Sequence, residues 1–289
     1  MLEKLEGEVL DTTFGQGVLR LFTRSGGNWV QQWESIEIPA MFGIPNVIVD
    51  DFDNDGQLET ALTPWNDLYI LDVATGQVEE TVQFKPPANE SGRPYGWLGA
   101  YDLTGDGREE FILMGDFQDF ITVIGWDVNN NLTKLWEHVF DARLADKQTT
   151  HRPGAFPVRD VTGNNQLEIV STVFNETGDN RWHVVVRNAL TGAVIHDLAD
   201  HAVDGARDVD GDGNVELFVR ETQGALLSES STVKIIDWNG AAFDTLWSHT
   251  NSGFVSQNIQ DFPLFVNSAT STGKQDPGRR GGVRLAAET

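Results

Sequence analysis

No cysteine occurs among the 289 residues. That excludes a disulfide framework, thiolate zinc sites and a cysteine nucleophile, although it does not fix the compartment. Basic residues are also scarce, with 20 Lys and Arg against 44 Asp and Glu and a net charge of −24. A surface of that sign repels phosphate backbones, so nucleic acid is excluded as a partner class. No apolar run approaches the roughly 18 residues of a membrane-spanning helix. No stretch has the apolar spacing of an amphipathic helix. The opening residues Met1-Leu-Glu-Lys-Leu-Glu-Gly-Glu8 have neither a basic leader region nor an apolar one. Two readings follow: a cytosolic protein, or a leader lying outside this sequence.

Several catalytic signatures are missing as well. The six histidines never take the HExxH spacing, Thr272-Gly-Lys274 lacks the upstream glycine of a phosphate loop, and no GxSxG occurs. Asn89, Asn131 and Asn175 open glycosylation-type triplets, which short polar loops produce by chance.

What the chain does have is an acidic phrase repeated four times. The first copy is Asp51-Phe-Asp53-Asn-Asp55-Gly56-Gln57-Leu-Glu59. The fourth is Asp208-Val-Asp210-Gly-Asp212-Gly213-Asn214-Val-Glu216. The second, Asp102-Leu-Thr104-Gly-Asp106-Gly107-Arg108-Glu-Glu110, replaces one carboxylate by a hydroxyl. The third, Asp160-Val-Thr162-Gly-Asn164-Asn165-Gln166-Leu-Glu168, keeps two carboxylates and has asparagine at the sixth position. Oxygen-bearing side chains at positions one, three, five and nine, with a backbone carbonyl at seven, can wrap a hard cation such as Ca2+. Glycine at six permits the sharp turn, and asparagine tolerates the same left-handed conformation. An EF-hand closes at position twelve between helices; here the acid is at nine and the flanks are strand-like.

Each acidic phrase sits between the first and second of four short apolar runs. Successive first aspartates are 51, 58 and 48 residues apart. Ala74-Thr75-Gly76, Leu190-Thr191-Gly192 and Trp238-Asn239-Gly240 mark the same turn in three units, and Trp33, Trp136 and Trp247 recur in the final run. A four-strand repeat of this length cannot bury its two apolar faces alone, so the expected fold is an all-β propeller of four-stranded blades. The blades are expected at about 40–84, 96–140, 154–199 and 203–250. The tryptophans are expected to pack between blades. Val18 to Phe22 and Trp29 to Trp33, joined by Ser25-Gly-Gly-Asn28, form a hairpin. Residues 8–39 and 252–270 would together build a composite blade closing a ring of about five, residues 1–270 forming the domain. The rival is a piece of a six- to eight-bladed propeller. Residues 271–289 read as a disordered tail.

The repeated phrases with strand flanks resemble the FG-GAP/VCBS repeat family, the calcium-loop blades also seen in integrin α-subunit heads. The resemblance covers roughly residues 40–250. It implies structural Ca2+, a binding or adhesion role toward carbohydrate or protein, and an extracellular or cell-surface setting. An enzyme is the alternative, because some polysaccharide lyases use calcium-loop propellers, while Asp72-Val-Ala-Thr-Gly76 is similar to quinoprotein repeats without a visible cofactor set. On the face opposite the acidic loops, the connections carry Trp65, Arg93, Tyr95, His151, Arg152 and His201. These are the candidate ligand residues, since loops on a rigid scaffold often carry binding.

Overall fold

A computed structural model describes residues 2–5, 15–41, 47–64, 67–83, 95–115, 120–139, 158–175, 178–223 and 232–250. Its described residues are all β, with five four-stranded antiparallel sheets in chain order, arranged as propeller blades. No helix among them is long and apolar enough to cross a membrane.

The N-terminal sheet contains β1 (Leu2–Leu5), β2 (Gly15–Ser25), β3 (Asn28–Glu34) and β4 (Ile38–Met41). Strand β2 is its centre: β1 pairs along its first half, β3 along its second, and β4 near its start. The predicted hairpin is β2–β3, closed by Gly26 and Gly27 with φ of 58° and 88°. Both turn residues are left-handed, the geometry that matches strand twist. Residues 252–270, assigned to the composite blade, lie outside the described residues, as do 271–289.

The first blade is β5 (Val47–Asp50), β6 (Glu59–Leu62), β7 (Asp67–Asp72) and β8 (Val78–Gln83). The second is β9 (Tyr95–Tyr101), β10 (Glu110–Gly115), β11 (Phe120–Trp126) and β12 (Leu132–Val139). The third is β13 (Val158–Arg159), β14 (Glu168–Phe174), β15 (Trp182–Asn188) and β16 (Val194–Ala199). The fourth is β17 (His201–Arg207), β18 (Glu216–Glu221), β19 (Thr232–Trp238) and β20 (Phe243–Thr250). Each is a simple meander whose first connection is an acidic loop.

The core consists of four apolar layers between consecutive sheets rather than one central cluster. Leu19 and Ile38 meet Leu62 and Leu71 between the N-terminal sheet and the first blade. Ile48, Phe52 and Ile70 meet Phe111, Leu113 and Ile124 in the next layer, where the Phe52 and Phe111 rings lie 5.0 Å apart. Ile112 and Val123 meet Val158 and Ile169, and Val170 and Val186 meet Val203 and Leu217. Full burial of such a side chain contributes roughly 1.5–3 kcal/mol, which makes the stacking of blades the main source of stability.

One register feature recurs in all five sheets. The pairing of the third and fourth strands of each blade, and of β2 with β3 in the N-terminal sheet, slips once, and the outer-strand residue just before the slip in the ladder is Trp33, Glu80, Trp136, His196 or Trp247. Trp33, Trp136 and His196 address the hairpin turn of the following sheet, whereas Trp247, in the last described strand, is 50% exposed. The Trp33 indole donates to the Val73 carbonyl at 2.7 Å and covers Gly76. Trp136 does the same with the Ala189 carbonyl at 2.9 Å and Gly192. His196 meets Trp238 and Phe243, which flank the turn of the fourth blade, edge-on at 5.5 and 5.3 Å. The inter-blade packing expected for the tryptophans is therefore found at Trp33 and Trp136, and a histidine takes the same place in the third blade.

Between β15 and β16, buried His183 sits between two aspartates. Its Nδ1 is 2.5 Å from Asp197 and its Nε2 is 3.1 Å from Asp179. Burial disfavours the imidazolium, but hydrogen bonds and charge from Asp197 and Asp179 outweigh it and raise the His183 pKa. A raised pKa means that the folded state holds the proton more tightly than the unfolded chain. The stabilisation is complete below the unfolded value near 6.5 and is lost as pH rises through the folded value. His183→Gln is accordingly expected to lower the melting temperature clearly at pH 6 and much less at pH 9. A penalty that grows with pH would contradict the ion-pair account.

Candidate metal loops

The four acidic loops share one backbone device. Positions four and six have positive φ in every copy: Asn54 and Gly56, Gly105 and Gly107, Gly163 and Asn165, Gly211 and Gly213. Asn165, at 64°, takes up the left-handed turn that glycine provides elsewhere. The double reversal turns successive amides inward. The first aspartate receives them: Asp51 accepts from the N–H groups of Asp55 and Gly56, Asp102 from Gly105, Asp106 and Gly107, Asp160 from Asn164 and Asn165, and Asp208 from Gly211 and Gly213. These are Asx-type turns, in which the side chain of an aspartate closes the backbone on itself.

The ninth-position glutamate starts the second strand and is buried in every copy, with Glu59 3% exposed. Its Oε2 accepts the N–H of position two: Phe52 to Glu59 at 2.9 Å, Leu103 to Glu110 at 2.8 Å, Val161 to Glu168 at 2.9 Å and Val209 to Glu216 at 2.7 Å. Position two is the apolar residue that enters the inter-blade layer in the first and third loops, as Phe52 and Val161. One hydrogen bond thus ties the loop to the core.

Beyond this frame the copies diverge. Asp51, Asp53 and Glu59 bring carboxylate oxygens within 4.8 Å of one another, as do Asp208, Asp210 and Glu216. Calcium–oxygen distances of about 2.3–2.6 Å let ligands on opposite sides of one ion stand roughly that far apart. Both groups can therefore hold a metal ion. Asp55 and Asp212 are turned toward the seventh residue, accepting from the backbone and side-chain amides of Gln57 and Asn214.

In the second loop a cation is built in. Arg108 pairs with Asp106 at 2.6 Å, donates to Asn130 at 2.6 Å and lies 5.8 Å from the centre of the Trp126 ring. Its hydrogen bonds hold the Asp106 carboxyl below its ordinary pKa. In the third loop the glutamate is satisfied internally, since Glu168 Oε1 accepts from Thr162 Oγ1 at 3.0 Å and from Asn164 Nδ2 at 3.3 Å. Asn164 also caps Gln166. Only the first and fourth loops assemble a three-carboxylate group among the described residues.

The electrostatics follow from crowding. Burial, with added repulsion from Asp53, Glu79 and Asp51, pushes Glu59 up to about 7. Burial likewise pushes Glu110 up to about 7 and raises Glu168 and Glu216. Neighbouring Glu109 is pushed up to about 8, by burial first and then by Asp50, Asp102 and Glu110. A cation beside such carboxylates favours their ionised forms.

Where the first blade has Glu80 in place of the aromatic, a cleft of about 180 Å³ remains between the first two blades. Phe52, Ile70 and Trp126 line it together with Asp53, Glu59, Glu79 and Glu80. Of the residues expected to form a ligand face, Trp65, Arg93, His151 and Arg152 lie outside the described residues, and Tyr95 is described only as the first backbone position of β9. His201 opens β17, half-buried, with Nδ1 2.8 Å from the Ala199 carbonyl and Nε2 3.4 Å from Lys234. Burial, followed by the Lys234 charge, lowers its pKa.

No family model matches the chain. No curated protein matches it either. Among solved structures it is similar to the V. cholerae biofilm matrix protein Bap1, at 17% identity over 86% of this chain and 38% of that one, with a TM-score of 0.44. It is also similar to a Lactobacillus plantarum protein at 11% identity over 81% of this chain and 65% of that one, with a TM-score of 0.41. A third similarity is to Saccharomyces cerevisiae Sqt1, at 10% identity over 80% of this chain and 56% of that one, with a TM-score of 0.46. The chain spans less than two thirds of the length of each of these proteins.

Proposed function

We propose that this chain is a binding module, a propeller whose first and fourth blades are pinned by structural Ca2+ and whose opposite face presents loops to a carbohydrate or protein ligand outside the cell. The observation that carries the metal assignment is the pair of convergent carboxylate groups, Asp51–Asp53–Glu59 and Asp208–Asp210–Glu216. In each, the buried glutamate has Oε2 fixed by a backbone amide, so the carboxylate is held in place before an ion arrives. Asp55, Gln57, Asp212 and Asn214 would complete the shell through side-chain or backbone oxygens. When bound, Ca2+ supplies charge compensation and a rigid link between the first and second strands. In the second and third loops, Asp102, Thr104, Asp106, Arg108 and Glu110, and Asp160, Thr162, Asn164, Gln166 and Glu168, provide weaker sets. There the Arg108 guanidinium and the Thr162 and Asn164 donors stand in for part of an ion's role.

The binding face rests on position. In a meander whose acidic loop joins the first and second strands, the second-to-third connections and the links between blades leave from the other end, where His201 opens β17, and the sequence puts Trp65, Arg93, Tyr95, His151 and Arg152 in those connections. Aromatic and Arg side chains there suit sugars or an acidic protein surface. Isothermal calorimetry with Ca2+ tests the metal assignment: about two tight sites are expected, one lost in Asp53→Asn and the other in Asp210→Asn. A glycan array and a lyase assay on pectic polymers, each with Ca2+ and with chelator, test the role. Binding without turnover is expected, and unsaturated sugar products would replace the binding module by an enzyme.

A further inference from the structure

Between successive sheets, a ring from the preceding outer strand usually fills the seat beside the next hairpin turn. Trp33 covers the turn at Gly76, Trp136 covers the turn at Gly192, and His196 meets the rings flanking the turn of the fourth blade. Between the first and second blades the corresponding residue is Glu80, and a cleft of about 180 Å³ remains there. A second exchange accompanies the first. Each slip passes over one outer-strand residue, which is Gln32, Leu135 or Ile195 beside those rings, but Glu79 beside Glu80. A bulge of this kind re-aims side chains, and here both glutamates line the cleft. Glu79 is exposed and Glu80 half-buried, so both are open to solvent.

The walls of the cleft combine two chemistries. Phe52, Ile70 and Trp126 supply apolar and aromatic surface. Asp53, Glu59, Glu79 and Glu80 supply four carboxylates, and no Lys, Arg or His lines the cleft among the described residues. Glu59 is 3% exposed, and among the described residues its Oε2 accepts the Phe52 N–H while its Oε1 has no donor. Arg108 stands beside Trp126, but Asp106 and Asn130 hold it. We propose that this cleft binds an organic cation, an ammonium group carried on a short apolar or aromatic body. The carboxylates neutralise the ammonium, the indole attracts it, and the body takes the room that a ring fills at the other seats. Size agrees, because an apolar cavity of roughly 150 Å³ accommodates benzene, so a single ring or a short alkyl chain fits. Anions are repelled by the same four carboxylates. The ammonium can come from a free amine or from a lysine side chain of a partner protein. The inference does not rest on Ca2+ in the first loop, since Glu79 and Glu80 lie outside that ligand set and stay available when an ion takes Asp53 and Glu59.

Calorimetry on the full chain tests the site, with tryptamine and cadaverine as free amines, Nα-acetyl-lysine amide as the side-chain mimic and indoleacetate as the anionic control. The cations are expected to bind at a single site, more weakly as salt rises, and indoleacetate is expected not to bind. Glu79→Gln with Glu80→Gln should weaken the amines about tenfold or more, since both charges face the ammonium. Glu80→Trp, which places a ring in the open seat, should abolish binding, with circular dichroism checking that the sheets are retained. Tighter binding of the lysine mimic would assign the cation to a partner protein, and tighter binding of a free amine to a small molecule; either result upholds the site. Each titration is run with saturating Ca2+ and with chelator. Amine binding in protein that takes no Ca2+ would remove only the metal assignment. Amine binding lost whenever Ca2+ is present would show that the carboxylates serve the ion alone and overturn the inference. No amine binding by the folded protein, equal binding of indoleacetate, or unchanged affinity in the double glutamine variant would overturn it as well.

Discussion

Alanine at Trp136 is expected to destabilise the protein by about 3–5 kcal/mol, the usual range for removing a packed tryptophan. The loss has two parts. The indole N–H leaves the Ala189 carbonyl, with which it pairs at 2.9 Å. The ring also leaves the layer between the second and third blades, where it packs with Ile112, Val123 and Ala189. Urea unfolding measures the difference. Gly192→Ala provides the reciprocal test, because φ is 72° there and the new Cβ would press on the ring at 2.7 Å. If ring and glycine form one contact, the two changes will be strongly non-additive, the clash vanishing once the ring is gone. Independent effects would show that the tryptophan acts elsewhere. Trp247→Ala should cost far less, because that indole is 50% exposed.

This ranking could not be made from sequence. Trp33, Trp136 and Trp247 were legible as one recurring position because the residue type repeats, and their inter-blade role follows from aromatic burial. Glu80 and His196 share no chemistry with them. Only the ladder, with its slip beside Ile70 and Val186, shows that they stand in the same place. The strand-flanked loops were legible for the opposite reason: local rules govern them completely. Alternating oxygens, a left-handed position and a closing acid all lie within nine residues, so the turn forms as written. Even there the fourth position escaped notice, since Asn54 in the first copy masks the left-handed requirement that Gly105, Gly163 and Gly211 reveal. Arg108 was legible as a loop position but not as a cation turned back on Asp106, which depends on a side-chain rotamer and on Asn130 in a different turn. Strand β1 was missed because Leu2-Glu-Lys-Leu5 has little alternation to announce it. It is a strand through its pairing with Gln16 to Leu19.

Withdrawal of Ca2+ is expected to lower the melting temperature by roughly 10–20 °C. The estimate rests on two sites, each contributing about 2.7 kcal/mol when free ion stands near 100 times its Kd. A domain of this size shifts by about 2–4 °C for each kcal/mol. The direction follows from the loops themselves. Without an ion, Asp51, Asp53 and Glu59 crowd three acids within 4.8 Å around a buried glutamate pushed up to about 7. An ion held there would replace that repulsion with attraction and link β5 to β6, and one at Asp208, Asp210 and Glu216 would link β17 to β18 in the same way. The first and fourth loops should therefore account for nearly all of the shift. Asp53→Asn with Asp210→Asn should render the protein insensitive to chelator. Thr162→Val in the third loop should leave the chelator response intact, because that loop satisfies Glu168 through its own donors. A melting curve unchanged by excess chelator, in protein shown to be metal-free beforehand, would leave the acidic loops as hydrogen-bonded turns. The blades would then be held by their apolar layers and aromatic pegs alone.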